Sequence, residues 1–218
     1  MVATRGDRTV PLFPDEERFI RTAVESRRRE FTTARGCARE ALTLLGRSPA
    51  AIPPGEGGEP RWPDGIVGSI THCRGYRAAA VADSEAFAAI GIDAEPHAEL
   101  RPGVLSVIAT PSEIAWVRGR LRDSPGIAWD RLLFCMKEAA FKAWAPLANG
   151  TLGFKDALIS IGPAKQGFTT RLRGAPPARA DWTSSDLAGK WIASDNLIVA
   201  AVVQAVEHSK TSPFICGI

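Results

Sequence analysis

The chain has 218 residues, enough for one large domain or two small ones and for a proper buried core. A formal net charge of +3 is too small to indicate nucleic-acid binding, though it mildly favours anionic substrates or partners. No apolar run approaches the ~20 residues of a membrane helix, residues 1–14 lack an apolar signal-peptide core, and the 4 cysteines show no metal-binding spacing. The expectation is a cytoplasmic protein with reduced thiols, no zinc, no nucleic acid and no membrane.

Two early stretches predict helices, over 15–25 and 37–45. In the second, Ala38, Ala41, Leu42 and Leu45 recur at helical spacing and Gly46 stops the pattern. Residues 50–63 form a Pro/Gly-rich loop. Short apolar runs at 66–71, 76–82 and 87–93, separated by turn signals, predict an antiparallel meander. A helix is predicted over 110–121, where Thr110-Pro111-Ser112-Glu113 matches a capping box with proline at the first helical position. The longest helix is predicted over 127–144: Trp129, Leu132, Leu133, Met136, Ala140, Ala143 and Trp144 form its apolar stripe, extended by Phe134 and Phe141, and Pro146 ends it. Strands follow at 157–161, 168–172, 190–194 and 197–203. This layout is α+β and suggests two similar halves joined near residues 100–110.

Two segments carry chemistry. In Gly91-Ile92-Asp93-Ala94-Glu95, period-two alternation puts Asp93 and Glu95 on one face of an extended chain. Such a pair either binds a hard divalent cation or is an ordinary acidic strand end. In Lys137-Glu138-Ala139-Ala140-Phe141-Lys142, Glu138 and Lys142 share a helix face. They form either a surface ion pair worth a few tenths of a kcal/mol or a functional pair on a largely buried helix.

Together these segments resemble the 4′-phosphopantetheinyl transferases of the broad-specificity, two-halved type, which carry G-x-D-x-E and K-E-A-x-x-K motifs in this order. Two upstream stretches are also similar to the family: Gly68-Ser69-Ile70-Thr71-His72-Cys73 after Trp62-Pro63-Asp64-Gly65, and the arginine-rich run from Arg27 to Arg35. The likeness covers roughly residues 15–160 and is nearest the actinobacterial branch. It implies a pseudo-dimer of two α/β halves, each a small antiparallel sheet packed with helices, here 1–105 and 106–218. It implies transfer of the phosphopantetheine arm of coenzyme A to a serine of an acyl or peptidyl carrier protein.

By the same resemblance, Asp93, Glu95 and Glu138 would bind Mg²⁺, with Glu95 a ligand directly or through water. Glu138 and Lys142 would be catalytic, and Lys142 would also contact the attacked phosphate. Arg27, Arg35, Thr71 and His72 would hold the phosphates of coenzyme A. Relatives often place a lysine in the loop before Trp62, and here that loop has no basic residue. Arg118, Arg120 and Arg122, with Trp116, form a candidate face for the acidic helix of a carrier. Two internal halves imply a monomer. A catalytically inactive coenzyme A- or carrier-binding module is one alternative. A metal-dependent nuclease is the other, disfavoured because that class spaces its carboxylate and lysine two apart on a strand.

Overall fold

The computed structural model describes residues 1–148, 152–162, 166–173 and 186–206. A short strand, β1 (Val2–Thr4), precedes helices α1 (Pro14–Ile20) and α2 (Glu25–Leu44). Strands β2 (Ile66–Cys73), β3 (Tyr76–Asp83) and β4 (Phe87–Pro96) follow. Next come α3 (Val104–Ile108), α4 (Pro111–Asp123) and α5 (Trp129–Trp144). The chain closes with β5 (Ala157–Ile161), β6 (Gly167–Leu172), β7 (Asp186–Ala193) and β8 (Leu197–Ala205). The architecture is the expected mixed one: two antiparallel sheets, ordered β1-β3-β2 and β4-β8-β7-β6-β5, packed against helices.

The early helices differ from the periodicity. Residues 15–25 do not form one helix: α1 stops at Ile20, and extended backbone at Val24 separates it from α2. α2 starts twelve residues before the stretch predicted from apolar spacing. Its first turns bury Thr33 and Arg35 beside Phe31, so the buried face there is not written in apolar letters. Its second half packs Cys37, Ala38, Ala41 and Leu42 against Val2, Ile66 and Ala79.

The meander is also corrected. β2 and β3 pair through a tight turn, with His72 opposite Arg77, but β4 pairs with β8 instead of β3. Its interior is buried almost without interruption, which suits a strand covered on both faces. Along the edge of β4 away from β8, side chains from β2 replace a backbone ladder. Ile92 N donates to Ser69 Oγ (3.0 Å) and Ala94 N to Thr71 Oγ1 (2.9 Å). Ser69 and Thr71 are buried, and two strand residues apart they reach the same neighbour.

α5 supplies the main core. Trp129, Leu132, Leu133, Met136, Ala140, Ala143 and Trp144 are buried as predicted, packing with Leu187, Ile198, Ala200 and Val202. Each large apolar side chain so buried contributes about 1.5–3 kcal/mol. Phe141 departs from the stripe: it is exposed. One glycine sets how closely α5 approaches β4. A Cβ on Gly91 would stand 1.9 Å from Ala139 O, so only glycine lets the helix backbone lie directly over the strand. Asp93, two residues on, is thereby held against α5.

Candidate active site

A cavity of about 640 Å³ opens where α2, β2, β4 and α5 meet. Asp93, Glu95, Glu138 and Lys142 line one part of it. Arg27, Arg35, Thr71 and His72 line it as well, so all eight residues singled out from sequence share one wall system. Phe31, Trp62, Phe134 and Phe141 add apolar surface. The volume falls in the ordinary range for a small-molecule site.

The acidic end is built around Asp93, which is 5% exposed. Lys142 Nζ lies 2.6 Å from Asp93 Oδ1 and donates to Ile92 O at 3.3 Å. Thr71 Oγ1 donates to the same Asp93 oxygen at 3.2 Å. The other oxygen, Asp93 Oδ2, is buried with no hydrogen-bond partner among the described residues. The helical spacing of Glu138 and Lys142 allowed an ion pair between them, but the ammonium reaches across to Asp93 instead. The Glu138 carboxylate makes no hydrogen bond or ion pair among the described residues. Burial first, and then Asp93, push its pKa up. Glu95 is also raised, by burial and then Asp93, against the pull of Arg131. Arg131 Nη1 bonds Glu95 Oε2 at 2.8 Å, and its other nitrogens bond Ala98 O and Glu99 O.

Negative charge is therefore in surplus here. Among the described residues no cluster of three or more His, Cys, Asp or Glu side chains stands ready as a metal cage. Still, an orphaned buried carboxylate oxygen beside an unpaired carboxylate is a hard-oxygen donor set that fits a divalent cation.

The basic end is organised differently. Arg27 Nη1 donates to His72 Nε2 at 3.0 Å. Arg28 instead caps Ile20 O and Arg21 O, and Arg29 pairs with Asp7 and Glu25, so of the three consecutive arginines only Arg27 lines the cavity. Arg35 is buried, stacks over the Phe31 ring at 4.1 Å, and is pushed down to about 10, first by burial. Its Nε holds Ile52 O at 2.6 Å while Glu16 Oε1 accepts from Ile52 N at 2.9 Å. That double clamp fixes the Pro/Gly loop, whose Pro54, Gly57, Gly58 and Pro60 reach the cavity. Trp62 seals the next stretch: its indole donates to Gly68 O at 2.9 Å and covers the space a Gly68 Cβ would need.

A 4′-phosphopantetheinyl transferase N-terminal domain model matches residues 15–82, and a 4′-phosphopantetheinyl transferase superfamily model matches residues 89–202. The chain belongs to the 4′-phosphopantetheinyl transferase superfamily. It is 44% identical over 194 residues to the 4′-phosphopantetheinyl transferase Svp of Streptomyces mobaraensis, covering 89% of this chain and 79% of that one. It is 47% identical over 201 residues to Npt of Nocardia iowensis, covering 88% and 89%. It is 45% identical over 197 residues to PptT of Mycobacterium tuberculosis, covering 87% and 85%. These relatives are of the actinobacterial type that the motifs resemble.

In this superfamily member, sequence reasoning missed Arg131, Glu16 and Glu30, because each acts on a partner more than twenty residues away or behind the cavity wall. The proposed docking face is altered as well. The Arg120 guanidinium lies 4.2 Å over the Trp129 ring, and Trp116 packs edge-on to Trp129 at 5.6 Å, so both are engaged internally. Arg118 and Arg122 remain exposed. His97 lies away from the cavity, accepting from Ala128 N at 3.1 Å.

Proposed function

We infer that the protein transfers the 4′-phosphopantetheine group of coenzyme A to a serine hydroxyl of an apo acyl or peptidyl carrier protein. The products are holo-carrier and adenosine 3′,5′-bisphosphate. The observation that carries this is the single cavity with guanidinium and imidazole groups at one place and three carboxylates and a lysine at another. That polarity suits a long ligand with several phosphates and a displacement at one of them.

Arg27, Arg35 and His72 bind phosphate; the two terminal nitrogens of Arg35 make no hydrogen bond among the described residues and are available for this. Asp93 and Glu138 would hold Mg²⁺, with Glu95, tied to Arg131, reached directly or through water. When bound, the ion would supply charge neutralisation to the phosphate groups of the substrate. Lys142 stands beside Asp93 and is placed to stabilise charge on the phosphate under attack. Glu138, with its raised proton affinity, takes the serine proton directly or through a water. A site on α5 with Glu138 and Lys142 one turn apart also lacks the strand geometry of the nuclease alternative. The two-halved resemblance implies a monomer, and the reading places it in the cytoplasm, where Cys37, Cys73 and Cys135 would stay free thiols.

The test is intact-mass spectrometry of an apo carrier incubated with the protein, coenzyme A and Mg²⁺. The carrier should gain the phosphopantetheine mass, and neither Asp93→Asn protein nor an EDTA-treated sample should modify it. No gain on fatty-acid, polyketide or peptidyl carriers, with folded protein, would replace this reading by the inactive binding module.

A further inference from the structure

Behind the basic end lies a carboxylate that does not touch the cavity. Glu30 sits on α2, one turn beyond Arg27. Its Oε2 is 3.8 Å from His72 Nδ1 and 3.9 Å from Arg27 Nη1, and its Oε1 is 4.0 Å from Arg77 Nη2. Arg77 faces His72 across the β2–β3 pair, is 8% exposed, and is held by Asp7 Oδ1 at 3.1 Å. Glu30 is thus the one carboxylate within ion-pair distance of the imidazole among the described residues.

The hydrogen bonding defines the resting state. A guanidinium can only donate, so His72 Nε2 accepts from Arg27 and the ring is neutral with its proton on Nδ1, toward Glu30. Burial leads in lowering the proton affinity of His72, and Arg27, Lys142 and Arg77 add to it, while Glu30 opposes them. An arriving phosphate changes this balance. It competes for the Arg27 N–H and brings two negative charges to the Nε2 side of the ring. The imidazole then lies between two anions and can donate from both nitrogens.

We propose that Glu30 is a positioning residue that couples phosphate binding to proton uptake at His72. In the bound state, Nδ1–H faces Glu30 and Nε2–H faces the phosphate, the added proton coming from solvent. This rests on the reading of the cavity as a coenzyme A site and adds to it a residue and a linkage. The sign follows directly. Unliganded His72 titrates below its ordinary value and liganded His72 above that, so affinity falls as pH rises between the two. The slope is at most tenfold per pH unit, for one proton taken up.

The test is titration calorimetry of the full chain with coenzyme A, in EDTA and without carrier so that no transfer occurs. Two buffers of unlike ionisation heat at pH 7.5 report the protons exchanged. Wild type should take up a fraction of a proton approaching one. His72→Gln should take up none, and Glu30→Gln should take up less than half the wild-type amount, with a flatter pH dependence of Kd. Uptake unchanged in Glu30→Gln, or no difference between wild type and His72→Gln, would overturn the role of Glu30 while leaving the cavity assignment intact. Failure of folded wild type to bind coenzyme A at all would overturn both.

Discussion

Lys137 and Glu138 are neighbours on α5, yet they belong to opposite kinds of polar site. Lys137 is 1% exposed and uses all three ammonium donors: Ile108 O at 2.9 Å, Glu113 Oε2 at 2.9 Å and Phe154 O at 2.8 Å. Glu113 is equally satisfied, accepting from Ile159 N at 3.1 Å and Thr110 N at 2.8 Å. This node ties α5 to the start of α4, the end of α3 and β5. One residue on, Glu138 has no hydrogen-bond or ion-pair partner among the described residues, and across from it Asp93 Oδ2 is buried and unmet there as well. A complete polar network fixes a fold, whereas an incomplete one at a cavity holds its unmet groups for a ligand.

The sharpest way to break the comparison is Lys137→Met. It strands the Glu113 carboxylate in the interior, a loss of about 3–5 kcal/mol. At ~2–4 °C per kcal/mol for a chain of this length, Tm should fall by roughly 6–20 °C. Replacing Glu113 by Gln in the same protein should recover part of that loss, because the buried charge goes and the amide oxygen still accepts from one of the two backbone N–H groups, Ile159 N and Thr110 N, that Glu113 meets. Thermal unfolding of the single and double variants decides it. A single variant melting within 2 °C of wild type would mean that Lys137 is no structural anchor.

Glu138→Ala should do the reverse. Turnover should fall about 10²–10⁴-fold, the usual reach of a positioned acid–base group. Stability should move by less than about 1 kcal/mol, since the side chain bonds nothing among the described residues and sits in the field of Asp93. Carrier modification rates and a melting curve on the same preparation separate the two effects. A melting loss comparable to that of Lys137→Met would erase the distinction between the two neighbours.

Much of this was legible in the sequence, and the gaps have physical causes. The stripe of α5 could be read because one face meets one core, and Thr110 with Glu113 announced the start of α4. The eight cavity-lining residues could be named because two short motifs carry four of them and two upstream stretches similar to the family carry the other four. What could not be read was pairing at a distance. The partner of β4 is β8, about a hundred residues on, and nothing local in 87–96 distinguishes that from a third meander strand. Gly91 reads as a letter of a motif, yet its requirement comes from the backbone of Ala139. The partner of Lys142 followed the same logic: helical spacing pointed to Glu138, but the fold brings Asp93 of β4 to 2.6 Å from the ammonium.

The smallest expected effect tests whether the open cluster is a metal site. Burial and Asp93 raise both Glu95 and Glu138 above the ordinary 4.5. For a carboxylate shifted upward, stability is present while the proton is held and is lost as pH rises through the folded-state pKa. Near neutral pH the carboxylates are therefore ionised at a cost to the fold, and a cation bound among them offsets that cost. Mg²⁺ should raise Tm little near pH 5, where protons compete, and increasingly as pH climbs toward 7, then level off. At a hundredfold excess over Kd the gain is about 2.7 kcal/mol, or roughly 5–10 °C by the same conversion. Asp93→Asn and Glu138→Ala should each flatten the response, while Lys137→Met, though less stable, should keep its full increment. A Tm gain independent of pH, or one that survives in Asp93→Asn, would place the ion elsewhere. Glu138 would then act as a base alone, and the unmet oxygen of Asp93 would answer to Lys142 and the substrate instead.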